Sequence, residues 1–326
     1  MKALVCHTLT GPQDVRLELQ WPEPKPGRGE VLVDVKAAAL NFPDVLMTRG
    51  LYQERPPLPF VPGLEFAGVV AEVGEGVARP RPGERVVGYS GQAVAEKVVV
   101  RQESVMPMPG TLDFAEASGI SLTYFTSYHA LKQRAQLQPG ETLLVLGAGG
   151  GVGTTAVELG KIMGARVIAA ASTREKLDVA RSLGADHLIN YTTEDLRERL
   201  KEITGGGGVD VVYDPVGGAL TEPAVRSLAW KGRFLVVGFA AGEIPKLAIN
   251  LLLLRGASMV GVFWGAFAKR EPQVQLQNAR ELWELFEAGK LKPVVGQVFP
   301  LEDGASALAA LEGRQAKGKV VIRVAD

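Results

Sequence analysis

One run constrains the fold more than any other: Leu143-Leu144-Val145-Leu146-Gly147-Ala148-Gly149-Gly150-Gly151-Val152-Gly153. Its apolar start, Thr142–Leu146, suits a strand buried on both faces. The glycines that follow force a tight turn with little side-chain bulk. Val152, Ala156, Leu159 and Met163 then recur at helical spacing. A strand, a glycine-rich turn and a helix in that order are the setting in which a dinucleotide is held. A backbone without bulk approaches a pyrophosphate closely, and the N–H groups opening the helix donate to it. The strict GxGxxG pattern is absent, but its spacing survives as Ala148, Gly150 and Gly153. The candidate phosphate-binding residues are therefore Ala148, Gly149, Gly150, Gly151, Val152 and Gly153. A tight turn with no ligand is the alternative, and the strand–turn–helix context argues against it.

The identity of the dinucleotide depends on the next strand, Arg166–Ala171. An acidic residue at its end would bind the ribose 2′-hydroxyl of NAD. Ala171 stands there instead, and Ser172, Thr173, Arg174 and Lys176 follow. With no carboxylate to repel a 2′-phosphate, and with hydroxyls and cations to hold one, NADPH is the expected cofactor. The bland alternative is that Arg174 and Lys176 are solvated first-turn residues of the helix over 174–183.

The surrounding pattern predicts two kinds of domain. Before about residue 120, short β-rich runs at Lys2–Cys6, Glu30–Ala37, Gly68–Val73, Arg85–Val87 and Val98–Val100 are broken by Gly and Pro. After it, apolar strands at Val209–Tyr213, Arg233–Val237 and Ser258–Phe263 continue the α/β alternation of a doubly wound domain. The tail carries an amphipathic helix over 271–287, a strand near Gln297–Phe299, a helix near Asp303–Leu311 and a last strand, Lys319–Arg323. We divide the chain at 1–120, 121–264 and 265–326, with the last segment completing the first domain.

Length and charge narrow the function classes. The 326 residues suffice for two domains of about 100–200 residues each. Lys+Arg and Asp+Glu both number 36, so no net charge pulls the chain toward nucleic acid, and no basic, aromatic-interleaved stripe is present. No apolar run has the length of a membrane span, and the start is too short in apolar residues for a secretory signal. The single cysteine, Cys6, forms no internal disulfide, which fits a reducing cytoplasm.

These residues resemble a family. The stretch from Gly140 to Lys161 resembles the signature of quinone oxidoreductases, the zeta-crystallin-like branch of the medium-chain dehydrogenases/reductases, with Glu158 where Gln is usual. Ala39-Leu40-Asn41-Phe42-Pro43-Asp44, Arg49-Gly50-Leu51-Tyr52, Pro62-Gly63-Leu64-Glu65-Phe66-Ala67-Gly68, Gly83-Glu84-Arg85-Val86 and Gly318-Lys319-Val320-Val321 are similar to further blocks of that family. Asp214-Pro215-Val216-Gly217-Gly218 is similar to its D-x-V-G-G turn, with Pro215 where Ser is usual. The resemblance implies an α/β protein with a GroES-like, mostly-β catalytic domain and a Rossmann nucleotide-binding domain. It implies cofactor contacts at Asn41, Phe42, Asp44, Thr123, Tyr191, Gly238, Phe239 and Arg314. It also implies a homodimer, or a dimer of dimers, through the edge strand near Ser258–Phe263.

The same comparison puts Asn41, Leu64 and Ile120 near the places of zinc ligands in metal-dependent relatives. None is a usual zinc ligand, and His7, His129 and His187 lack ligand spacing, so no metal is expected. An acceptor that is already electrophilic is then required, such as a quinone or an α,β-unsaturated carbonyl. Asn41 and Tyr52 are the candidate donors to its developing oxyanion, with Tyr124 a third. An NADPH-dependent alkenal or enoyl reductase and a non-enzymatic NADPH-binding protein are the rival readings.

Overall fold

The computed structural model describes residues 1–325, and its contacts divide the chain into two compact units. The first is Met1–Leu122 together with the chain from Trp283 onward, and the second is Thr123–Leu282.

In the first unit a sheet runs in the order Val295–Pro300, Lys319–Arg323, Glu30–Leu40, Glu65–Val73, Arg85–Tyr89 and Val105–Pro107, and Lys97–Arg101 also pairs with Glu30–Leu40. Ala3–Cys6 and Val15–Glu18 form a separate antiparallel ribbon. Leu4, Val33, Phe66, Val86, Leu308 and Ile322 are among the apolar side chains of its core. The tail therefore returns to the first domain through Lys319–Arg323, which pairs antiparallel with Ala37–Leu40. Glu30–Leu40 outruns the apolar stretch expected at Glu30–Ala37, because register shifts at Leu32/Val33 and Val35/Ala37 let its pairing with Glu65–Val73 continue.

The second unit is a parallel six-stranded sheet. Its order is His187–Asn190, Arg166–Ala171, Thr142–Leu146, Val209–Asp214, Leu228–Val236 and Ser258–Gly261. In chain order within the unit this is 3-2-1-4-5-6, the doubly wound arrangement, whose switch point lies between the first and fourth strands. Leu143, Leu144, Val145 and Leu146 are wholly buried, as an all-apolar central strand requires.

Two expected bounds move. Ser258–Phe263 ends as a strand at Gly261. The second domain boundary, expected at 264, falls at 282, because the helices Trp264–Arg270 and Pro272–Glu287 begin in the second unit. Trp264 stacks on Phe125 at 5.6 Å, Phe267 stacks on His129 at 3.8 Å, and Asn278 exchanges hydrogen bonds with Gln133. No described helix is long and apolar enough to cross a membrane.

Candidate active site

In the nucleotide unit, the candidate cofactor residues gather at the carboxyl ends of the parallel strands. Gly147 turns the chain at φ 61°, and Gly150 caps the helix Gly151–Ile162 without a side-chain bond. The first-turn N–H groups of that helix have no acceptor within it, so they face outward for an anion. A Cβ on Gly153 would lie 2.1 Å from the Gly147 carbonyl oxygen, so only glycine lets the helix start pack against the turn. A Cβ on Gly149 would lie 2.5 Å from Cβ of Lys176, so the Lys176 stem lies against the turn. These residues fit a pyrophosphate.

Neighbouring strand ends complete this edge. Ala148 N donates to Ala170 O at 3.1 Å, and Tyr191 N donates to Ala171 O at 3.2 Å. Thr173 caps the helix Arg174–Ser182 with its side chain, and Thr192 Oγ1 donates to Ser172 O at 3.1 Å. Ser172, Thr173, Arg174, Lys176 and Tyr191 thus surround the end of the strand that lacks an acid. Across the switch point, Asp214 accepts from Val216 N, Gly217 N and Thr221 Oγ1 at 2.8–3.0 Å. Its turn is laced to the loop carrying Gly238 and Phe239 through Gly238 N to Asp214 O and Ala241 N to Val216 O. Asp214 has no place in the sequence-derived site. Its signal was a carboxylate ending an apolar strand.

Two further residues of this unit are tied down. The Thr123 carbonyl accepts from Thr155 Oγ1 at 3.2 Å. Tyr124 is 1% exposed and donates its hydroxyl proton to Glu158 Oε2 at 2.6 Å. That corrects the expectation that Tyr124 is a free donor, because a phenol has one proton to give. Burial and the Glu158 charge also push its phenol well above the usual range. Glu158, the departure from the usual Gln, is the acceptor that holds it.

In the first unit, Asn41 follows the strand Glu30–Leu40 and caps the helix Phe42–Thr48. Its side chain is 5% exposed and held at both ends. Nδ2 donates to Glu65 Oε1 at 2.9 Å, and Oδ1 accepts from Lys319 Nζ at 2.6 Å. The second Nδ2 hydrogen has only a 3.4 Å contact with Ala39 O. Glu65 is wholly buried, and its Oε2 accepts from Leu122 N at 2.8 Å. Removing one partner of a buried pair such as Lys319–Glu65 costs about 3–5 kcal/mol. Phe42 begins the helix, and Arg314 sits at φ 56° in the turn before Lys319–Arg323.

Asp44 is wholly buried and accepts from Asn41 N at 2.7 Å and Gly63 N at 3.0 Å. Burial pushes its carboxyl up to about 7, against the pull of those two N–H groups. The folded protein therefore keeps a proton that the unfolded chain releases from about pH 4. Stability declines as pH rises through the window from about 4 to about 7, by up to about 4 kcal/mol. Urea midpoints at about pH 4 and pH 8 check this: wild type loses more than Asp44→Asn across that interval. Equal losses in the two proteins contradict it.

Tyr52 packs half-buried against the same core. Burial, then Glu54 and Asp44, raise its phenol above the ordinary value. Tyr89, on the neighbouring strand Arg85–Tyr89, is raised by burial and by Tyr52, and the sequence reading did not single it out.

The donor set does not fit zinc. Asn41 offers an amide already bonded to a carboxylate and an ammonium, while Leu64 and Ile120 offer hydrocarbon. No group of three or more His, Cys, Asp or Glu suited to a metal occurs among the described residues.

Comparison with known proteins covers both units. Residues 27–130 match the alcohol dehydrogenase GroES-like domain, and residues 151–281 match the zinc-binding dehydrogenase domain. The quinone oxidoreductase-like protein 2 homolog of Nematostella vectensis is 39% identical over 98% of this chain and 88% of its own length. Quinone oxidoreductase 1 of Escherichia coli is 33% identical over 97% of each chain. The solved structure of Escherichia coli quinone oxidoreductase complexed with NADPH superposes with a TM-score of 0.91 at 29% identity, over 99% of this chain and 100% of that one. With relatives of this kind spanning both units, the chain belongs to the quinone oxidoreductase family of the medium-chain dehydrogenases/reductases and is a nicotinamide-dependent oxidoreductase.

Proposed function

We propose that the enzyme is a zinc-independent NADPH:quinone reductase. The observation that carries this reading is the donor set around Asn41. An amide, a carboxylate and an ammonium bond one another there. Nothing in that set would polarise an unactivated carbonyl as a metal does, so the acceptor must bring its own electrophilicity. Quinones meet that requirement, and the quinone oxidoreductase relatives favour them over other conjugated acceptors.

The cofactor residues are assigned to Gly149–Gly153 for the pyrophosphate and to Ser172, Thr173, Arg174, Lys176 and Tyr191 for the 2′-phosphate end. When bound, NADPH supplies the hydride. Asn41 presents its loosely held Nδ2 hydrogen to the acceptor oxygen, and Tyr52 gives that oxygen the one proton that completes a hydroquinone. Its raised pKa keeps the Tyr52 proton in place at neutral pH.

The test is NADPH oxidation measured with a quinone panel beside an alkenal panel and an enoyl-thioester panel. Fastest turnover with quinones is expected. Preference for alkenals or enoyl thioesters overturns the quinone assignment. NADPH binding without turnover of any acceptor overturns catalysis itself.

We also propose a dimer built on the edge strand Ser258–Gly261. It leaves Met259 39% exposed, and Phe263 just beyond it is 54% exposed. An apolar edge needs cover, and a second copy of the same strand supplies it. Light scattering at micromolar concentration is expected to give twice the chain mass, and a monomer contradicts the assignment. A cytoplasmic setting is part of this reading.

A further inference from the structure

We propose that Lys319 is a positioning residue of the reduction, acting through the Asn41 amide; this rests on the function proposed above. Lys319 is 4% exposed in a strand that is otherwise apolar up to its last residue. Its three ammonium hydrogens have three acceptors: Leu40 O at 2.9 Å, Asn41 Oδ1 at 2.6 Å and Glu65 Oε1 at 2.7 Å. The stem passes close to Gly119, where a Cβ would come within 3.0 Å of Lys319 Cγ. A side chain at 119 would crowd it.

The consequence falls on Asn41. Lys319 holds its oxygen and Glu65 holds its nitrogen, so a flipped amide would set NH2 against an ammonium. The orientation is therefore fixed, and the remaining Nδ2 hydrogen points where only Ala39 O, at 3.4 Å, engages it. A cation on Oδ1 also polarises the amide and strengthens that hydrogen as a donor. A buried ion pair adds little stability over an apolar pair of the same shape, so its value here lies in the geometry it imposes.

Three proteins test this: wild type, Lys319→Met, and Lys319→Met/Glu65→Gln. The double variant removes both buried charges and is the one expected to fold with a melting temperature close to wild type. Its kcat with quinone is expected to fall about tenfold or more, while KM for NADPH stays within about twofold. The isotope effect with NADPH deuterated at the transferred position is expected to rise. A well-folded double variant with wild-type kcat overturns the proposal.

A second measurement needs no acceptor. The chain has four asparagines, Asn41, Asn190, Asn250 and Asn278, so selective 15N-asparagine labelling resolves their side-chain amides. The Asn41 pair, assigned by its loss in Asn41→Ala, is expected to move and to exchange faster in Lys319→Met or in the double variant. An unchanged pair overturns the positioning role, whatever the acceptor proves to be. A wild type that reduces other acceptors but no quinone overturns the acceptor reading alone, and the amide measurement then decides the role of Lys319.

Discussion

Tyr52→Phe lowers kcat by about 100-fold and leaves KM for NADPH nearly unchanged, since a positioned proton donor contributes about 10²–10⁴ in rate. The substitution removes one hydroxyl and keeps the ring that packs on the first domain's core. Little stability is therefore lost, and the defect is chemical. The pH profile carries the same information. Burial raises the phenol above its ordinary value of about 10, so the proton is present throughout the neutral range. Wild-type kcat should hold from neutral pH upward and fall only beyond about pH 10. Steady-state kinetics on both proteins check this. A Tyr52→Phe enzyme with wild-type kcat removes Tyr52 from the chemistry.

Ala171→Asp reverses the cofactor preference. Ala171 ends its strand 1% exposed, with its carbonyl held by Tyr191 N and the Thr173-capped helix just beyond. A carboxylate added there repels a 2′-phosphate and accepts from a ribose 2′-hydroxyl. Gaining one charge-assisted bond with NADH and losing one with NADPH is worth about 1.5–3 kcal/mol each. The ratio of kcat/KM for NADPH over NADH should therefore drop by about 100-fold or more. Arg174→Ala should lower that ratio by about tenfold, through NADPH alone. Both ratios come from initial rates with the two coenzymes at one quinone concentration. A preference untouched by Ala171→Asp would place the 2′-phosphate elsewhere.

The nucleotide domain was legible because its physics is local. Leu143–Leu146 and Val167–Ala171 are continuous apolar runs, and the structure returns their strands, Thr142–Leu146 and Arg166–Ala171, with the expected bounds. The glycines of the turn likewise act where they stand. His187–Asn190 carries little strand signal of its own, being four residues long with His and Asn at its ends. Its identity as a strand comes from pairing with Ile168–Ala171. Residues 265–282, expected with the first domain, group with the second unit instead, for a similar reason. An amphipathic stripe says that a face is buried but not against what, and here the partners, Phe125, His129 and Gln133, lie more than a hundred residues upstream.

The candidate site in the first domain was legible only in part. Asn41 and Tyr52 were named from blocks that resemble a family. Glu65 and Lys319 stand in such blocks without a role of their own in the sequence. Their meaning depends on a 2.7 Å contact across 254 positions of sequence, which no spacing rule reaches. A lysine opening an apolar strand was the available signal, since such a charge is buried only when paired. Tyr124 erred the other way. Its hydroxyl made it a candidate, and Glu158, 34 residues on, takes that proton.

The central claim is that hydride passes from NADPH to a quinone here without a metal. It is tested most directly by turnover measured against bound zinc. Protein dialysed against a strong chelator and carrying less than about 0.05 zinc per chain should keep its full NADPH:quinone rate, and added zinc should not raise it. A rate that vanishes on chelation and returns in proportion to zinc restored would contradict the account.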